Sequence, residues 1–204
     1  MIGSMSEPNP TTSVVRGEDW YARDLSGQEF RHVEFLDLDL TEAFGVGAVF
    51  EECVFRNAKL NASVHTDAAF VSCTFHRSSF FDARFERCKL IGSRFDGCTW
   101  DITQVEGGNW SFVSLARADL HSARFTGVRL READLTGVRA VDGILRDCDL
   151  AGTSLEGADL TGCDLRGSEL SGIDPATVTL DRAIITLPQA VTIVEAMGLD
   201  LRVD

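Results

Sequence analysis

Cysteines and histidines are the side chains of this sequence that could hold a metal ion or act as nucleophiles. All six cysteines have numbers that leave a remainder of three on division by five: Cys53, Cys73, Cys88, Cys98, Cys148 and Cys163. A metal site or a disulfide framework would have ignored such a register. We therefore interpret the cysteines as small buried apolar residues. Reduced thiols are expected even for Cys53 and Cys73, which are twenty residues apart.

The four histidines do not form a catalytic or metal-binding group in the sequence. His32, His76 and His121 fall on positions that should face outward, and none has a cysteine or second histidine at ligand spacing. His65 takes the place of a core residue, and we interpret it as a hydrogen-bonded packing irregularity. The glycines show no phosphate-loop motif. The sequence therefore predicts no catalytic residue, no metal site and no cofactor, and we do not expect an enzyme.

A period of five residues organises the chain instead. Between Leu145 and Leu170 every fifth residue is leucine. The same register holds from Leu25 to Leu180, where the central residue of each pentapeptide is almost always Leu, Phe, Trp or Val, with exceptions at Gly45, His65, Ala140 and Pro175. This period belongs neither to an α-helix nor to a simple strand, so it predicts a repeat architecture.

Two further positions of the pentapeptide have their own composition. The position two residues before the central one holds small side chains, including all the cysteines. The position two residues after it holds glycine at Gly27, Gly47, Gly92, Gly97, Gly107, Gly127, Gly137, Gly152, Gly157, Gly162, Gly167 and Gly172. Glycine adopts positive φ at no steric cost, as a type II turn requires. Each pentapeptide is therefore predicted to be a short extended side followed by a corner.

Several pentapeptides match the A(D/N)LXX signature of the pentapeptide-repeat family. These are ADLTG at 133–137 and 158–162, ADLHS at 118–122, CDLAG at 148–152 and CDLRG at 163–167. The chain resembles that family over about 160 residues. The resemblance implies an all-β fold, a right-handed quadrilateral β-helix of four pentapeptides per coil and about eight coils, with a short C-terminal capping and dimerisation α-helix.

Positions twenty residues apart should then stack. One column contains Phe35, Phe55, Phe75 and Phe95, so like residues stack on like. The misfits Gly45, His65 and Val105 share another column, which predicts an irregular face in the N-terminal half and a second loose region at 100–110. We expect the glycine-cornered C-terminal coils to be the most regular.

The chain divides into three parts. Residues 1–15 are polar and are expected to be disordered, with Gly3-Ser4-Met5 resembling a cloning remnant; residues 16–183 form the β-helix. Residues 184–204 form a helix and tail, with Thr186 as N-cap, Pro188 in the first turn and Gly198 at the end. Its apolar stripe is the predicted dimer interface: Leu187, Ala190, Val191, Val194, Met197 and Leu199. No membrane span or secretory signal is present in the sequence, so we expect a cytoplasmic protein.

Charge is concentrated towards the ends of the chain. The net charge is −13. Residues 1–42 hold 9 acids and 3 bases, residues 43–139 hold 11 and 12, and residues 140–204 hold 12 and 4. This balance disfavours direct binding of nucleic acid or anionic lipid and favours a basic protein partner.

The pattern resembles the fluoroquinolone-resistance pentapeptide proteins of the mycobacterial type (MfpA-like), without the loops of their plasmid-borne relatives. That resemblance implies a homodimer, joined through its C-terminal ends, that imitates DNA in the basic saddle of the DNA gyrase A subunits. It would inhibit this type II topoisomerase or protect it from fluoroquinolones and other gyrase poisons. The predicted gyrase-binding surface is acidic: Asp142, Asp147, Asp149, Glu156, Asp159, Asp164, Glu169, Asp174 and Asp181.

Two alternatives stay open from the sequence. The first is a structural or scaffolding pentapeptide-repeat protein with an unrelated protein partner. The second is a self-immunity factor of an antibiotic producer, which would share the gyrase target. The simplest explanation of the acids is also open, because Asp before the central residue keeps a rod soluble whatever its partner.

Overall fold

The structure is a computed structural model that describes residues 13–202. The chain forms a parallel β-solenoid of about seven turns, followed by one short C-terminal helix. This architecture confirms the predicted solenoid. No helix among residues 13–202 is long and apolar enough to cross a membrane.

The strands are short, and most contain only three residues. In chain order they are β1 Ser13–Arg16, β2 Glu29–Arg31, β3 Val33–Leu36, β4 Phe44–Val46, β5 Val49–Glu51, β6 Val54–Arg56, β7 Val64–Thr66, β8 Ala69–Val71, β9 Thr74–His76, β10 Arg84–Glu86, β11 Arg94–Asp96, β12 Gln104–Glu106, β13 Arg124–Thr126 and β14 Ile144–Arg146. The helix, α1, is Leu187–Ala196.

Each strand pairs in parallel with the residues twenty positions further along the chain, as the register predicted. The first face of the solenoid is the sheet β1-β3-β6-β9-β11, the third is β14-β13-β12-β10-β7-β4, and the fourth is β2-β5-β8. The second face consists of isolated bridges, such as Asp39 to Lys59 and Lys59 to Ser79. With these bridges included, the third face runs in eight steps of twenty residues from Asp24 to Ile184.

Stacked aromatic rings fill the N-terminal half of the core. Phe75 lies between Phe55 and Phe95, with ring centroids 4.6 and 4.8 Å away and planes almost parallel. Phe50 and Phe70 stack in the same way at 4.7 Å. These rings are buried, so the predicted columns of like residues are confirmed.

The corners use left-handed backbone more widely than the glycines indicated. Gly27 and Gly152 have φ of +65° and +71°, as expected, but Gly172 does not adopt positive φ. Several non-glycine residues at the same position of the pentapeptide also have positive φ, for example Asp67 at +50° and Phe112 at +60°. Tertiary pairing therefore enforces the corner even where the side chain disfavours it.

One expectation about regularity was wrong. The face that carries Gly45 and His65 is the longest sheet of the solenoid, because the backbone pairing does not depend on the size of the inward side chain. The segment 100–110 contains the strand β12, which is followed by two consecutive left-handed glycines, Gly107 and Gly108. Between Arg146 and α1 the described chain pairs through isolated bridges that keep the spacing of twenty residues.

The register also slips by one residue near Pro175. Gly137 donates its backbone N–H to the carbonyl nineteen residues ahead, Glu156, whereas Gly157 donates to Thr177, twenty ahead. Thr177 in turn donates to the carbonyl of Asp174. The slip is a local bulge, and Asp159 pairs with Thr179 directly after it.

The helix α1 closes the C-terminal end of the solenoid. Thr186 is the N-cap, and the Oε1 of Gln189 accepts hydrogen bonds from its backbone N–H and hydroxyl at 2.8 and 2.9 Å. The Nε2 of the buried Gln189 donates to the carbonyls of Leu165 and Ser168, both at 2.7 Å. One side chain thus caps the helix and satisfies backbone acceptors of the last coil.

The boundaries differ slightly from the predicted ones. β1 begins at Ser13, so residues 13–15 belong to the solenoid and not to the predicted disordered segment. The rest of that segment, residues 1–12, lies outside the described residues. At the other end, Ile184 still pairs with Asp164, one residue beyond the predicted limit of the β-helix.

Candidate functional site

The nine acids of the predicted surface surround the C-terminal coils. Because pentapeptides alternate among four faces, the sequence positions of the acids distribute them around the rod. Glu156 lies on the first face, Asp159 and Asp181 on the second, Asp164 on the third, and Asp149 and Glu169 on the fourth. Asp142 and Asp147 lie at corners with φ of +54°, and Asp174 lies in the bulge.

Two of these acids are engaged with arginines. Asp164 is buried and forms ion pairs with Arg166 at 2.7 Å and with Arg146 at 3.7 Å. The hydrogen bond from Arg166 holds the pKa of Asp164 below its usual value. Asp149 pairs with Arg131 at 3.2 Å. These two carboxylates are therefore already balanced by the protein's own cations.

The other seven acids are more weakly balanced, since Arg139 acts only electrostatically on Asp159 and Arg166 only electrostatically on Asp147. Within residues 13–202, no Lys or Arg side chain forms an ion pair with any of the seven remaining members of the set. Asp159 accepts hydrogen bonds from the backbone N–H and hydroxyl of Thr161, which lower its pKa. Six of the seven are exposed, and Asp159 is half-buried. The C-terminal coils thus present an unbalanced ring of negative charge.

The helix α1 exposes an apolar stripe next to this ring. Gln189 and Ile193 turn towards the solenoid. Leu187, Val191 and Met197 lie on the other side and are 81%, 38% and 60% exposed. Of the remaining predicted interface residues, Leu199 is 55% exposed, and Ala190 and Val194 are half-buried.

Most of the cysteines are buried thiols with a raised pKa; the exception is Cys53, whose pKa is lowered chiefly by a hydrogen bond with Cys73. All six are free thiols, and five are buried. Burial raises the pKa of Cys88, Cys98 and Cys148 to about 11 each, and burial also raises the pKa of Cys73. Each of these thiols contacts a backbone carbonyl; for example, the Sγ of Cys88 lies 3.2 Å from the carbonyl oxygen of His65. No group of three metal-ligating side chains lies close enough to hold an ion within the described part of the chain.

His65 is fully buried between Gly45 and Phe85. Its Nε2 lies 3.1 Å from the hydroxyl of Ser63, and its ring stacks on Phe85 with centroids 5.2 Å apart. Burial lowers the pKa of His65 to about 4. The imidazole is therefore neutral in the core at neutral pH.

The buried histidine predicts a loss of stability in mild acid. The native pKa of about 4 lies below the unfolded value of 6.5, so protons bind the unfolded chain more tightly. The contribution is complete above pH 6.5 and is lost as the pH falls towards 4; by pH 5 the loss amounts to about 2 kcal/mol. We expect urea unfolding to show this loss between pH 7 and pH 5, and the His65→Phe variant to lose about 2 kcal/mol less. Equal losses in both proteins would refute the assignment to His65.

Comparisons with known proteins agree with this architecture. The family model for pentapeptide repeats matches residues 103–138 and 144–174, as eight copies. The sequence thus carries pentapeptide repeats, and the rod has the pentapeptide-repeat β-helix fold. No curated protein matches the sequence.

Two solved structures of QnrB1, described as a plasmid-mediated fluoroquinolone resistance protein, share the fold. A trypsin-treated variant of it is 20% identical, with 93% of this chain and 98% of that chain covered and a TM-score of 0.66. The full-length protein is 21% identical, with 92% and 98% covered and a TM-score of 0.50.

Sequence reasoning missed two features of this region. Asp149 and Asp164 pair with arginines eighteen residues earlier, and Asp164 also with Arg166 two residues later, and columns twenty residues apart give no signal of these pairs. The role of Gln189 was hidden because the helix pattern counts only apolar residues. The available signal was a glutamine in the first turn of the helix, on the side opposite the apolar stripe.

Proposed function

We propose that this protein is a dimeric, cytoplasmic DNA mimic that binds DNA gyrase and so inhibits it or protects it from fluoroquinolones or other gyrase poisons. The observation that carries the proposal is the set of unbalanced acids on the first, second and fourth faces of the C-terminal coils and at the corners beside the third. Duplex DNA presents phosphates around its whole circumference, and a basic DNA-binding saddle would meet carboxylates here in a similar way. The shared fold with QnrB1, a fluoroquinolone resistance protein, supports the same target.

The dimer would place the charge where the saddle is most basic. Two copies related by a two-fold axis at α1 bring both acidic C-terminal segments to the middle of a long rod. The exposed stripe on α1 is suited to such a contact, because leucine, valine and methionine side chains gain free energy when they leave water.

Charge introduced into this stripe should separate the dimer. We expect the unaltered protein to scatter light as a particle of twice 22.3 kDa, and the double variant Leu187→Glu, Val191→Glu to scatter as a monomer. Both positions are exposed in the single chain, so the substitutions should leave the solenoid folded.

The matched control is Ala196→Glu, an exposed position on the opposite side of α1. It adds charge to the same helix and should remain dimeric. A monomeric mass for the unaltered protein, or dimers in the double variant, would contradict the joint at α1.

Supercoiling by purified gyrase tests the function. We expect micromolar protein to slow supercoiling or, with a fluoroquinolone present, to reduce the accumulation of cleaved DNA. Affinity for gyrase should fall steeply with salt, since the attraction is electrostatic. If neither activity changes and a bacterial lysate yields a different partner, the scaffolding alternative is the correct one.

A further inference from the structure

A recess of about 440 Å³ lies at the corner between the third and fourth faces, and its C-terminal end borders the acidic ring at Asp147 and Asp149. Two glycines help to shape it, Gly108 and Gly127. Gly108 has φ of +89°, and a Cβ atom there would overlap the carbonyl oxygen of Cys88. Only glycine fits this backbone. The residues twenty before and twenty after it, Cys88 and Val128, are buried, whereas Gly108 is half-buried.

Cations line the recess. Lys89 and Arg129 belong to the same ladder and flank Asn109, so their backbones are about 10 Å apart. Both side chains are exposed, and within residues 13–202 neither forms an ion pair. The recess also contains Arg87, whose guanidinium is held by Asp67 through two hydrogen bonds of 2.8 Å.

Of the four polar side chains in the lining that form no ion pair within the described chain, three can donate hydrogen bonds, namely Lys89, Asn109 and Arg129. The Oδ1 of Asn109 accepts from the backbone N–H and hydroxyl of Ser111 at 3.1 and 2.7 Å, which leaves its NH₂ group free to donate. Of the two acids in the lining, Asp149 is paired with Arg131. The other acid, Asp147, lines the C-terminal end of the recess, and its Oδ1 lies beside Gly167 on the next coil.

We propose that this recess binds an oxyanion, a phosphate or carboxylate group, through Lys89, Asn109 and Arg129. An ammonium, an amide and a guanidinium provide only donors, and the two cations bind such a group with charge-assisted hydrogen bonds. The recess is larger than one anionic group and is in the size range of small-ligand sites. The oxyanion therefore belongs either to a phosphorylated small molecule or to an acidic segment of a protein partner. The argument for this site does not use the gyrase proposal, although Asp147 and Asp149 belong to both surfaces.

Titration of the full-length protein, followed by amide NMR shifts in a phosphate-free buffer, tests the site. The probes are inorganic pyrophosphate and a hexaglutamate peptide. We expect saturable shifts at Gly108 and Gly127 with at least one probe. Saturation by pyrophosphate alone indicates a phosphorylated small molecule, and saturation by the peptide indicates a protein partner.

Two variants distinguish specific binding in the recess from a general attraction of anions to positive charge. Arg129→Gln should weaken binding at least tenfold, whereas Arg124→Gln, an exposed arginine on the third face at the same pentapeptide position, should change it less than twofold. Equal effects of the two substitutions, or shifts that do not saturate with either probe, would overturn the proposal.

Discussion

Replacing Phe75 with alanine is expected to lower the free energy of unfolding by about 4 kcal/mol. The Phe75 ring lies between the rings of Phe55 and Phe95 and meets the edge of Phe80 at 5.4 Å. Removing it leaves a cavity in the aromatic column of three successive coils, which the paired backbone cannot close. Urea unfolding followed by circular dichroism measures the change.

The exposed ring of Phe81 provides the control. It is half exposed, so Phe81→Ala should change the free energy of unfolding by less than about 0.5 kcal/mol. In a solenoid each coil contacts only its neighbours. Hydrogen exchange should therefore accelerate most in the coils around Phe75. A loss below about 1 kcal/mol in Phe75→Ala would contradict the stabilising role assigned to the stacked aromatic rings.

Reversing three acids of the C-terminal ring should weaken gyrase binding on the order of 100-fold, at about 1 kcal/mol for each lost charge contact. The variant is Glu156→Lys, Glu169→Lys, Asp181→Lys, which changes the first, fourth and second faces. All three side chains are exposed and have no cation partner in residues 13–202. Asp164 is left intact because its loss would leave two arginines near a buried position without their partner.

A control of equal net charge tests whether position matters. Glu86→Lys, Asp101→Lys, Glu106→Lys reverses three acids in the middle of the chain and should reduce gyrase affinity less than threefold. Circular dichroism should show that both variants retain the fold. Equal losses of affinity in the two triple variants would indicate that only net charge matters, and the acidic ring would lose its assigned role.

Much of the fold could be predicted because one register governs every coil. Phe55, Phe75 and Phe95 revealed their stacking by their spacing alone, since residues twenty apart occupy the same column. The regularity of each face could not be predicted in this way. Strand pairing depends on backbone hydrogen bonds and on the type of turn at each corner, neither of which the inward residue determines, as Gly45 and His65 demonstrate.

The candidate site was predictable to a lesser degree. The sequence located the acids, but it could not show that Asp149 and Asp164 are balanced by arginines. It also could not show that Gly108 opens a recess, because the glycines at 107 and 108 look like ordinary corner residues. These properties arise where neighbouring coils meet, and they depend on side-chain directions that a one-dimensional pattern does not contain.

Competition between this protein and duplex DNA for gyrase is the most direct test of the central claim. Fluorescently labelled protein would be bound to purified gyrase, and unlabelled duplex DNA would then be added at constant salt concentration. If the rod occupies the DNA saddle, DNA should displace it completely, and the apparent Kd should rise in proportion to the DNA concentration. A ternary complex of gyrase, DNA and this protein, with an unchanged Kd, would contradict DNA mimicry.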